Sequence, residues 1–172
     1  MAEKTVPQAP VVIDTESRAV IEPTGVEVLR VGLLGALVGL FVPLLSWLIG
    51  KFFIQPVFCH SGDSLGLCSS GNLTPYYVAT VIVTVVAVAL LANWQVFRPL
   101  LIAVAAAAAL WGLRKYLNDV ANSNWVEYYG SSVLLYAVMY LLFYWLLRLR
   151  SFAVSVILTV VAVVLVRWAL LS

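Results

Sequence analysis

Residues 31–50 read VGLLGALVGLFVPLLSWLIG, a run without a charge that is closed off by Arg30 on one side and Lys51 on the other. A helix needs about 20 apolar residues to cross the ~30 Å hydrocarbon core of a bilayer. This run supplies them, and the rest of the chain repeats the pattern. Of the 172 residues, 63% are hydrophobic and 10% charged, whereas an ordinary globular chain is about a quarter charged. The mean hydropathy of +1.04 points the same way. The apolar runs are unbroken, which excludes the alternating strands of a membrane β-barrel. The composition therefore predicts an all-α transmembrane protein, a bundle of about five membrane-spanning helices.

Working outward, the first span is predicted over residues 28–53. Gly32, Gly35 and Gly39 fall close to one face of it, and Gly35 and Gly39 form a small-x-x-x-small pair. Such residues let helix backbones approach closely in lipid, where the hydrophobic effect no longer drives association. They are candidates for packing inside the chain, for a seam to a protein partner, or for a homo-oligomer. Pro43 either kinks this helix or sits where its lost hydrogen bond is made good by another group. Before the span, residues 1–27 carry Pro7, Pro10 and Pro23 among mixed charges. They read as a disordered cytoplasmic tail.

The loop 54–75 is the main polar excursion and holds both cysteines and the single histidine. Cys59 and Cys68 are nine positions apart, and a disulfide closing so short a loop contributes about 2–3 kcal/mol on a chain-entropy account. The alternatives are a redox-active pair and a metal site drawn from Cys59, His60, Asp63 and Cys68. The chain has no Cys-x-x-Cys, the spacing is not that of a zinc site, and a single histidine excludes bis-histidine haem. No cofactor and no metal are expected. Asn72–Leu73–Thr74 matches a glycosylation sequon but is followed at once by Pro75.

Further spans are predicted over 76–92, 99–113, 131–147 and 152–171. The third is short: 15 residues separate Arg98 from Arg114, about 22 Å of helix, so the count falls to four if this segment is re-entrant. Residues 114–130 are polar and aromatic and read as interfacial. Tyr136, Tyr140 and Tyr144 recur every four residues and form a stripe, either a packing face or the wall of a polar groove. Arg148, Arg150 and Ser151 read as a basic turn before the last span.

With the N-terminus inside, Lys4, Arg18, Arg30, Arg98, Arg148 and Arg150 face the cytoplasm, against Lys51, Arg114, Lys115 and Arg167 outside. The bias follows the positive-inside rule and places the cysteines on the oxidising side, in a plasma or bacterial inner membrane. The net charge of +2 without basic blocks excludes a nucleic-acid partner. No predicted span contains Asp or Glu, which argues against a carboxylate proton relay. No nucleotide, hydrolase or metalloprotease motif is present, so no enzyme is expected.

Arg30–Val31–Gly32 opens the first helix pair and Asn93–Trp94–Gln95–Val96–Phe97–Arg98 closes it; Arg148–Leu149–Arg150–Ser151–Phe152 closes the second. In these positions the chain resembles the GtrA-like family of small polytopic membrane proteins, over residues 30–152. The second signature lacks the Asn and Trp of the family pattern, and the cysteine loop and last span are extra. The resemblance implies a carrier or flippase for polyprenyl-phosphate-linked sugars, with Arg98, Arg148, Arg150 and the tyrosines holding the headgroup. The residues alone favour an accessory or scaffolding subunit of a membrane complex. A thiol–disulfide membrane oxidoreductase is the third reading.

Overall fold

The computed structural model describes residues 25–59, 73–96, 98–120, 124–149 and 151–171. Among these every regular element is a helix: α1 (Gly25–Ile49), a π-helical turn (Gly50–Ile54), α2 (Gln55–Phe58), α3 (Thr74–Asn93), α4 (Pro99–Ala109), α5 (Leu113–Val120), α6 (Trp125–Leu146) and α7 (Phe152–Leu171). A helix satisfies its backbone within one segment, which apolar surroundings demand. Hence even the valine-rich α3, which would favour strand in water, is helical. Among the described residues four helices are long and apolar enough to cross a membrane. The first is continuous for 33 residues through the π turn and α2.

The buried residues of α1 are Val31, Leu34, Gly35, Val38, Gly39, Val42, Pro43 and Ser46, one stripe at the helical period. That stripe faces α6 and α3. α6 runs antiparallel to α1, since Gly32 lies beside Leu141, Gly35 beside Ala137 and Gly39 beside Ser132. α3 returns alongside α1 from Pro75, which lies against Gly50. Tyr77 near the start of α3 stacks on Trp111 at 4.9 Å, just past the end of α4, so α4 runs antiparallel to α3. α7 starts where α4 starts and packs chiefly on it.

Four boundaries differ from the sequence expectation, the first being that the helix begun in α1 runs on through α2 to Phe58, where a loop was expected from 54. The segment predicted as one span over 99–113 is helical only to Ala109; the chain turns through Gly112 at φ +93° into α5. A positive φ of that size suits glycine alone. Of residues 114–130, read as an interfacial helix or loop, those up to Val120 continue the helix α5, with Leu117 buried, and α6 begins at Trp125 rather than at 131. Trp125, Tyr128 and Tyr129 gave that segment an interfacial look while lying on the first turns of a long helix. Likewise α1 begins at Gly25, which brings Glu27 into its first turn. The predicted tail lies outside the described residues except for Gly25–Glu27. Cys68, His60 and Asp63 also lie outside them, and with them the predicted disulfide; Cys59 is an exposed residue just after α2.

Candidate functional site

The α1–α6 seam carries Ser132, Arg148 and Glu27, and it is set by a spacing of four on both helices. On α6 the tyrosine stripe continues in both directions, to Ser132 below and Arg148 above, and all five residues are buried. On α1, Glu27 meets Arg148 and Tyr144, Gly35 meets Tyr136 and Tyr140, and Gly39 meets Ser132; Val31 and Pro43, at the same spacing of four, are buried too.

At the Pro43 end the seam is closed. Proline has no N–H, so the carbonyl four residues earlier loses its helical donor. That carbonyl belongs to Gly39, and Ser132 Oγ donates to it at 2.8 Å. The approach requires glycine: a Cβ on Gly39 would lie 2.7 Å from Ser132 O and Val133 Cα, and one on Gly35 would lie 2.9 Å from Ala137 Cα and Tyr136 O. Gly32 is less tight, its nearest neighbour Leu141 being 3.5 Å from an added Cβ. The glycine face is therefore filled by α6 and is not open to a partner.

The tyrosines follow. Tyr136, Tyr140 and Tyr144 are each only 1% exposed, so they face the interior and do not line an open groove. The Tyr136 and Tyr76 hydroxyls are 3.4 Å apart, joining α6 to α3.

At the other end of the seam Arg148 Nη2 donates to Glu27 Oε2 at 2.8 Å, and the Tyr144 hydroxyl donates to the same oxygen at 2.8 Å. The Arg148 guanidinium also lies over the Tyr144 ring, 4.8 Å from its centroid. The carboxylate at the start of α1 and the cation just past the end of α6 each complement a helix dipole. The site is still incomplete. Arg148 is 5% exposed, and its Nε and Nη1 are buried without a hydrogen-bond partner among the described residues. Burying charged donors unpaired is costly, and in a helical membrane bundle such a residue marks a functional site until shown otherwise.

Arg98 lies at the same end but is engaged differently. It has left-handed backbone geometry, φ 54°, immediately before Pro99. Its Nη1 donates to Ser155 Oγ at 2.8 Å and its guanidinium lies over Phe152 at 4.8 Å, so it ties α4 to α7. Arg150 lies outside the described residues. Of the candidate residues, the structure thus brings Gly32, Gly35, Gly39 and the tyrosine stripe together with Arg148 in one seam. Sequence reasoning missed Glu27 and Ser132. Continuing the tyrosine spacing one step each way would have found Ser132 and enlisted Arg148; Glu27 then follows from the glycine spacing on α1.

Among the described residues no group of three or more His, Cys, Asp or Glu side chains is placed to hold a metal ion. Among the described residues, fold and site together give a helical bundle with four helices long and apolar enough to cross a membrane and a buried arginine, bonded through one of its three nitrogens, at one end of the central seam. The chain matches no family model, no curated protein and no solved structure.

Proposed function

We propose that this is a non-enzymatic membrane protein that holds the anionic headgroup of a lipid, of the polyprenyl-phosphate class, at Arg148. The observation that carries the reading is the pair of unpartnered Arg148 nitrogens at the end of the bundle. A guanidinium is suited to phosphate because its planar donors match the oxyanion geometry. Arg30 and Arg98 at the same end add positive charge, and all three face the cytoplasm in the orientation the basic residues favour. In this reading α4 and α5 complete a fifth passage, and a Cys59–Cys68 disulfide closes the outer loop. The test is native mass spectrometry after mild-detergent extraction. A polyprenyl-phosphate lipid retained by the wild type and lost from Arg148→Met supports the reading; equal retention, or none by the wild type, overturns it.

A second reading, an accessory subunit of a membrane complex, is favoured by α7. In its most apolar window only 11% of residues are buried, against 39% in the first helix, so a partner helix has a broad face available there. A protein partner at fixed stoichiometry in the same spectra, with no lipid, would support it. The filled Gly35–Gly39 face plays no part in that docking.

A further inference from the structure

Resting on the lipid-phosphate reading, we infer that Glu27 is a latch: it is the resident counter-anion of Arg148, and a phosphate monoester headgroup binds by evicting it. Three observations converge. Access comes first. Arg148 Nε and Nη1 are closed off from solvent, so no ligand reaches them unless something moves. Of the two side chains in the pair, Glu27 is 37% exposed and Arg148 6%, and Glu27 stands in the first turn of α1. Terminal turns open at little cost.

The second observation is how the carboxylate is held. A single oxygen, Oε2, accepts from both the Tyr144 hydroxyl and Arg148 Nη2. This is a one-point contact, without the two parallel bonds that make arginine–carboxylate pairs strong. Third, Nη2 belongs to both bidentate edges of a guanidinium, the one shared with Nε and the one shared with Nη1. A phosphate taking either edge must share Nη2 with Glu27, and two anions that close repel. Once Glu27 leaves, the Tyr144 hydroxyl and a full guanidinium edge are both presented to the incoming group, and more acceptor oxygens are there to use them.

The latch also sets a threshold that the more highly charged headgroup clears first. A phosphate monoester carries a charge of about −1.5 to −2 near neutral pH, whereas the phosphodiester of a bulk membrane lipid carries only one negative charge, the same as the carboxylate it must replace. Glu27 thus screens Arg148 from the surrounding phosphodiester lipids and yields to the monoester.

The experiment measures binding in nanodiscs containing polyprenyl phosphate, with phosphatidylglycerol as the diester and uncharged polyprenol as the control. The wild type is expected to prefer the monoester. A latch closed about 90% of the time lowers apparent affinity about tenfold for either lipid, so Glu27→Gln should bind the monoester and the diester each roughly tenfold more tightly, which brings the weaker diester into the measurable range. Glu27→Asp, which keeps the charge on a shorter arm, should move both affinities the same way by less, and thermal melting checks that each variant is folded. If the wild type binds the monoester and Glu27→Gln leaves both affinities unchanged or weakens them, the latch falls while the lipid reading stands. If neither protein binds the monoester, the lipid reading falls and the latch with it. Competition by millimolar inorganic phosphate as effective as the lipid would show a seat for free phosphate and overturn both.

Discussion

At Gly39 and at Glu27 the same pair of helices meets a polar problem and treats it in two ways. Pro43 strips the Gly39 carbonyl of its donor, and Ser132 replaces that donor at 2.8 Å across a gap only glycine permits. Twelve residues earlier on α1, about 18 Å along the helix, Arg148 meets one carboxylate oxygen and keeps two nitrogens unpartnered. The first end spends its polar groups on holding the helices together. The second keeps donors in reserve at a cost in stability, which is the pattern expected of a binding site and not of a structural joint.

The largest effect should come from breaking the closed end. Gly39→Leu sets a side chain into backbone atoms that an added Cβ would already meet at 2.7 Å, and backbone does not give way as a flexible side chain does. Overpacking of this kind costs about 3 kcal/mol or more. We expect loss of the folded protein in detergent, read by thermal melting or by the yield of monodisperse material. Gly32→Ala, with only Leu141 nearby, should be tolerated. If both variants behave alike, the close approach at Gly39 is not what fixes the seam.

Next in size is the serine that completes it. Ser132→Ala leaves the Gly39 carbonyl without a donor in an apolar interior, at a cost of about 1–3 kcal/mol. Pro43→Ala restores an N–H at the position from which a helix normally satisfies that carbonyl. It should therefore recover most of the loss in the Ser132→Ala background and do little alone. A double-mutant cycle by thermal melting measures the coupling; strict additivity would show that Ser132 acts only by packing.

The helical class, with helices long and apolar enough to cross a membrane, was legible because apolar runs such as residues 31–50 satisfy their backbone most simply as helix. The spacing of Gly35, Gly39 and the tyrosines was equally visible as two faces, though not that they are the same interface. Pairing is a tertiary fact, and periodicity within one helix carries no information about which helix lies opposite. The break at Leu110–Gly112 escaped notice because a glycine inside an apolar run reads equally as a helix residue or a turn. Arg148 was visible as part of a basic turn and as a candidate headgroup ligand, and a turn is where it stands; its burial was not legible, because that depends on Glu27 and Tyr144 closing over it. Glu27 was taken as the end of the tail because no periodicity argument fixes a helix start to within a turn.

The smallest expected change in stability is the most informative about the open end. Arg148→Met removes a buried cation that has one bonded nitrogen and two unpartnered ones, and puts an apolar side chain of similar reach in its place. The pair it destroys is a third exposed on the Glu27 side, where screening leaves an ion pair worth about 0–1 kcal/mol. Against that loss stands relief from burying the charge, which commonly makes such replacements neutral or stabilising. Glu27 can turn to water and remain charged. We therefore expect thermal stability within about 1 kcal/mol of the wild type, together with loss of the bound anionic lipid. A structural joint would show the reverse, as Ser132→Ala should: a stability loss with the lipid still bound. If Arg148→Met melts well below the wild type, the two ends of the seam differ in chemistry but not in purpose.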